Sequence, residues 1–141
     1  MYQAVREYRQ QFPDKAVLYS ADGYEAFGWA VLLAGGSLAS VPRVAEPGFA
    51  TSVAGMRPVE LPGKPASQWA LSDGKTGLLV YRDGPAPVQL DLATMSGTFT
   101  VRHLNPKTGQ LVGKTDSVKG GKLVKLTTPA TGAEVLWLTK K

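Results

Sequence analysis

Cysteine is absent from this chain and histidine occurs once, as His103. The first absence excludes disulfides, thiolate zinc sites, iron–sulfur clusters and a cysteine nucleophile, without deciding the redox compartment. The second removes histidine-rich metal centres and leaves any Ser–His–Asp arrangement a single base. No apolar run reaches the roughly 18 residues that a membrane-spanning helix needs, so no membrane partner is expected. The opening segment, Met1-Tyr2-Gln3-Ala4-Val5-Arg6-Glu7, lacks the basic-then-apolar layout of a signal peptide and points to a mature protein or an excised piece. Internal repeats and low-complexity tracts are missing as well.

What is present is the composition of an ordinary globular chain: 141 residues, 43% hydrophobic and 19% charged. Sixteen Gly and ten Pro imply many turns, hence many short strands. Charge is uneven. Residues 1–100 hold eight Lys/Arg against nine Asp/Glu, whereas residues 101–141 hold eight against Asp116 and Glu134 alone. A basic segment attracts phosphates or anionic polymers. Here the lysines alternate with apolar residues and sit in turns, which suits lysines that keep sheet edges soluble. Arg and aromatic residues are not interleaved on one face, so nucleic acid is not an expected partner.

The spacing of Val5, Tyr8 and Phe12 predicts a helix over 2–11, closed by Pro13. Ala16–Ser20 reads as a buried strand of the kind found in parallel sheets. Asp22 and Glu25 resemble a helix-capping pair. Tyr24–Ala34 is apolar on almost every side and predicts a helix buried all round, ended by Gly35-Gly36. Residues 42–65 carry five prolines (Pro42, Pro47, Pro58, Pro62, Pro65) and read as an irregular connector. Beyond it the period changes to two. Strands are expected at Gln68–Leu71, Gly77–Arg82, Val88–Leu92, Thr98–Leu104, Leu111-Val112, Leu123–Leu126 and Val135–Leu138, with a tight turn at Asn105–Gly109. Together they predict a mainly β fold, an antiparallel β-sandwich carrying an N-terminal α/β piece of helix, strand and helix.

Candidate chemistry is thin. No two of Asp14, Asp22, Glu25, Glu46 and Glu60 have a spacing that sets them across a glycosidic bond. His103 has no Gly-x-Ser-x-Gly elbow to serve, and reads as a hydrogen-bonding strand residue rather than a base for Ser96 or Ser117. Asp73, Asp83 and Asp91 match no calcium loop. Gly35-Gly36-Ser37 follows a helix instead of opening one, so it is no phosphate loop. No metal site and no cofactor are expected. Trp69, Tyr81 and Trp137 are read as filling the sandwich core, with Trp69 the candidate for exposure and for stacking on a sugar ring.

The features Gly77–Tyr81, Val88–Leu92 with Ser96-Gly97, Asn105–Gly109, and Thr128-Pro129 with Glu134–Leu138 resemble, in order, a C-terminal β-sandwich module of bacterial glycoside hydrolases that carries the label collagen-binding domain. That family places an aromatic just before the Asn/Asp-Pro turn, where this chain has Leu104. The first forty residues are similar to the closing units of a glycosidase (β/α)8 barrel. The resemblance implies three segments: a barrel remnant (1–41), a Pro-rich connector (42–66) and a β-sandwich module (67–141). It implies that Ser20, Asp22 and Tyr24 lie on the barrel rim and that the catalytic carboxylates belong to earlier strands. No catalytic residue is therefore assigned in this chain. The implied partners are the rest of the catalytic domain and polysaccharide, in an extracellular or periplasmic setting. A binding module for collagen or another extracellular polymer, and a purely structural domain, are the alternative readings.

Overall fold

The computed structural model describes residues 1–18, 28–128 and 130–141. Among the described residues, three short helices, α1 (Tyr2–Gln11), α2 (Gly28–Leu33) and α3 (Phe49–Ala54), precede eight strands. These are β1 (Arg57–Val59), β2 (Gln68–Ser72), β3 (Gly77–Arg82), β4 (Val88–Asp91), β5 (Thr98–Leu104), β6 (Asp116–Lys119), β7 (Leu123–Leu126) and β8 (Glu134–Lys140). Six of them form one antiparallel sheet in the order β1-β2-β3-β8-β5-β6, and β4 pairs with β7 in a second. The fold is mainly β and sandwich-like, as the period-two pattern requires.

Alternation along each strand decides what it faces. Ala70, Leu78, Val80, Leu136, Leu138, Phe99 and Val101 point from the large sheet toward Val88, Leu90 and Leu92 of the small one, forming the inner core. The intervening residues Leu71, Leu79, Val135 and Trp137 point the other way. They are covered by Trp29 and Leu33 of α2, Phe49 of α3 and Met56. The large sheet is therefore the middle of three layers. Its edges are blunted: β1 carries Pro58, which an edge strand tolerates, and β6 is mostly exposed and ends in Lys119.

Several expectations need correction. Segment 42–65 is not wholly irregular, because Phe49 anchors α3 edge-to-face on Trp137 at 5.2 Å and Met56 leads into β1. Leu111-Val112 forms no strand. A bridge from Leu104 to Leu111 and one amide bond from Val112 to His103 O (2.8 Å) are followed by Gly113 at φ +70°, which turns the chain away. Asp116–Lys119, not anticipated as a strand, takes the place beside β5. The aromatics of β2, β3 and β8 line the helix-facing side, not the inner core.

At the N-terminal end α1 spans the predicted residues. Within the expected strand Ala16–Ser20, residues 16–18 join no sheet, and residues 19 and 20 lie outside the described residues. Val17 is buried and exchanges backbone and side-chain bonds with Ser37 (2.9 and 3.0 Å), while Leu18 points outward. A parallel strand needs ladder neighbours, and no described residue supplies one here. The capping pair Asp22 and Glu25 also lies outside the described residues. The following helix is buried nearly all round at Gly28–Val31 and Leu33, as its composition predicts.

Candidate functional site

Of the sequence-derived site residues, Ser20, Asp22 and Tyr24 fall outside the described residues. Trp69 sits in the first position of β2 that faces the helices. Its ring is sandwiched between Tyr2 of α1 (centroids 5.0 Å, planes 9° apart) and Tyr81 of β3 (5.3 Å, 10°). Register places Trp69 opposite Tyr81, and the first turn of α1 supplies Tyr2. Such offset stacks contribute about 0.5–1.5 kcal/mol each beyond area burial. Both indole faces are thus occupied, and a sugar ring reaches one only if Tyr2 leaves.

A groove of about 540 Å³ opens beside this stack, between α1 and the 59–69 segment. Its mouth is spanned by Glu60, which meets Arg6 Nη2 at 3.3 Å and Lys64 Nζ at 2.9 Å. The hydrogen bond and charge of Lys64, with Arg6 adding to them, lower the pKa of the exposed Glu60 against a small opposing effect of desolvation. Gln68 closes the far wall, and its amide donates to the Ala86 and Pro87 carbonyls.

A second cluster, which sequence reasoning missed except for His103, lies at one end of the inner core. Arg82, Glu134 and His103 continue the inward-facing series of β3 (78, 80), β8 (136, 138) and β5 (99, 101). Arg82 Nη2 meets Glu134 Oε2 at 3.1 Å, and His103 Nδ1 meets Glu134 Oε1 at 2.8 Å. His103 Nε2 lies 3.1 Å from Asp116 Oδ2. Arg82 is fully buried and also donates to Thr128 Oγ1, Ala130 O (2.8 Å) and Ala86 O (3.3 Å). The hydrogen bond to Glu134 is the chief cause of a raised His103 pKa. Burial opposes it, and Asp116 adds to it. Burial pushes the Glu134 carboxyl up, but the hydrogen bonds from His103 and Thr128 and the charges of His103 and Arg82 outweigh it, so its pKa is lowered.

A cleft of about 430 Å³ borders this network at His103, Lys114, Asp116 and Glu134. Both imidazole nitrogens are committed to carboxylates, and neither Ser96 nor Ser117 is a partner. The arrangement is an ion clamp across β3, β8, β5 and β6.

The remaining candidates resolve into turn chemistry. Asp73 Oδ1 accepts from the amides of Lys75, Thr76 and Gly77 at 2.7–2.9 Å, and Oδ2 bonds the Thr76 hydroxyl. Burial acts against ionisation, but these bonds prevail and hold its pKa at about 2. Its oxygens are thus engaged by its own loop. Asn105 acts similarly, accepting from Lys107 N (2.8 Å) and Thr108 N (3.2 Å). The indole of Trp29 in turn donates to Pro106 O at 2.7 Å, tying α2 to that turn.

A family model described as a domain of unknown function (DUF6298) matches residues 1–56, ending ahead of the strands β2–β8. No curated protein matches the chain. Among solved structures, one titled glycoside hydrolase superimposes with a TM-score of 0.52 at 16% identity, covering 62% of this chain and 21% of that one. A glycoside hydrolase family 5 structure from Bacteroides vulgatus gives a TM-score of 0.58 at 15% identity, covering 83% of this chain and 35% of that one. These likenesses concern the fold. The chain spans 21% and 35% of those two proteins' lengths.

Proposed function

We propose that this chain is the C-terminal accessory region of a glycoside hydrolase. In this reading residues 1–41 close the catalytic barrel, 42–66 connect, and 67–141 form a β-sandwich that packs against the barrel and touches polysaccharide outside the cytoplasm. Ser20, Asp22 and Tyr24 stand on the barrel rim, while hydrolysis is performed by carboxylates elsewhere in the longer protein. The observation that carries the reading is the fold shared with glycoside hydrolases of which this chain spans 21% and 35%.

Surface chemistry supports it. Leu18 and Leu38 are 61% and 68% exposed, and they flank the bonded pair Val17 and Ser37. Tyr8 of α1 and Phe12, just past its end, pack against one another with ring centroids 4.8 Å apart and planes tilted by 43°, and are also exposed. Covering the two leucines stabilises by about 2–4 kcal/mol.

The purified chain is expected to release no reducing ends from a panel of gluco-, xylo-, galacto- and manno-oligosaccharides. Turnover by the chain alone overturns the proposal. Collagen, included as a binding control, is expected to give no signal, and saturable collagen binding would favour the polymer-binding alternative instead.

A further inference from the structure

The helices cover only part of the large sheet. On the same side, the far portion formed by β8, β5 and β6 presents Thr98, Thr100 and Arg102, then Ser117 and Lys119, then Thr139. Register sets Thr100 opposite both Thr139 and Ser117, and Thr98 opposite Lys119. Lys141 joins this face: its amide bonds Thr98 O at 2.9 Å and its Nζ reaches Ser117 Oγ at 3.3 Å. Arg102 is held flat, with its guanidinium 4.9 Å above the Trp137 ring and Nη1 donating to Thr139 Oγ1 at 2.8 Å. The acids of these strands, Asp116 and Glu134, are on the opposite side, where His103 and Arg82 engage them. Among the described residues, the side chains of β8, β5, β6 and Lys141 on this face therefore include three cations and four hydroxyls and no carboxylate.

We infer that this strip is a docking surface for an acidic polysaccharide, one bearing carboxylate or sulfate groups on successive sugars. Three cations on a flat sheet face complement a linear polyanion, and the four hydroxyls suit partners that themselves present hydroxyls. Base stacking needs exposed aromatic faces. The one ring within the strip, Trp137, is 3% exposed and roofed by Arg102, which favours glycan over nucleic acid. The inference rests on the glycoside hydrolase reading for the class of polymer, and on the charge pattern for its acidic character.

The test is titration of the chain with polygalacturonate, with neutral cello-oligosaccharides, and with single-stranded DNA, at 50 and 200 mM NaCl. Polygalacturonate is expected to bind, weakening at the higher salt, while the neutral oligosaccharides do not. The double variant K119Q/K141Q, which alters two exposed side chains, is expected to weaken binding about tenfold. K107Q/K125Q carries the same net charge and lies off the strip, so it is expected to bind as the parent does. Equal loss in both doubles, absence of polygalacturonate binding, or stronger binding of DNA overturns the inference. None of these outcomes bears on turnover, so hydrolysis by the chain alone refutes the accessory role independently.

Discussion

Glu134→Gln is the most direct probe of the buried ion clamp. It keeps the side chain's shape and removes the charge that faces Arg82 at 3.1 Å and His103 at 2.8 Å. Arg82, 0% exposed, would then face only neutral acceptors. Removing one partner of a buried pair costs about 3–5 kcal/mol, against a total stability of about 5–15 kcal/mol. At this chain length Tm moves about 3 °C per kcal/mol, so a drop of roughly 9–15 °C is expected. Arg82→Met behaves differently, because it leaves Glu134 facing an imidazolium for as long as His103 stays protonated. Its penalty is therefore smaller at pH 5.5, below the raised His103 pKa, and grows as pH climbs through that pKa and the imidazole loses its proton. Urea unfolding followed by circular dichroism over a pH series rising from 5.5 measures both effects. The reasoning is refuted if Glu134→Gln costs less than about 1 kcal/mol, or if the Arg82→Met penalty does not change with pH.

The wild-type chain should be most stable at mildly acidic pH. His103 has its pKa raised above 6.5, so its contribution is complete below that value and is lost as pH climbs through the folded-state pKa; that of Glu134, lowered below 4.5, is complete above 4.5 and is lost on acidification. A Tm that rises steadily from pH 5.5 to 8.5 would contradict this. Asp73→Ala strips three amides and a hydroxyl of their acceptor in a solvated turn and is expected to cost about 1 kcal/mol in chemical denaturation. It should also remove the part of the acid transition that falls between pH 4 and about 2. Gly120→Ala would set its Cβ 1.9 Å from the Met95 carbonyl oxygen. The backbone must shift, at about 1–3 kcal/mol, and an unchanged melting curve would show that the loop absorbs it. L18K/L38K should suppress self-association in sedimentation velocity, and a parent chain that is already monomeric at high concentration would show that the exposed leucines are not sticky.

The β region was the more legible half, because alternation of period two marks strands without reference to anything distant. Thr98–Leu104 and Gly77–Arg82 emerge with their predicted limits. Asp116–Lys119 was hidden because it carries one apolar residue, Val118, and owes its ladder to β5. The ion clamp was half visible: His103 shares a face with Phe99 and Val101, and Arg82 and Glu134 are in phase with core positions of their own strands. That phase was the signal available. Which charges meet depends on strand order, and β3-β8-β5 adjacency cannot be read from local pattern. Trp69 shows the same limit from the other side. Its chemistry suits stacking on a sugar, but the partner that takes its outer face, Tyr2, lies 67 positions earlier and is brought there only by the packing of α1.

Because the large sheet has apolar residues on both sides, its two coverings are not equally removable. A shortened chain beginning at residue 67 would retain β4 and β7 over the inner core but shed α2 and α3. Leu71, Leu79, Val135 and Trp137 would then be wetted together. A neat stretch of sequence is thus a poor guide to where a scalpel can be applied. Anyone wishing to work with the strands in isolation should carry the preceding helices along as a lid, or expect insoluble material.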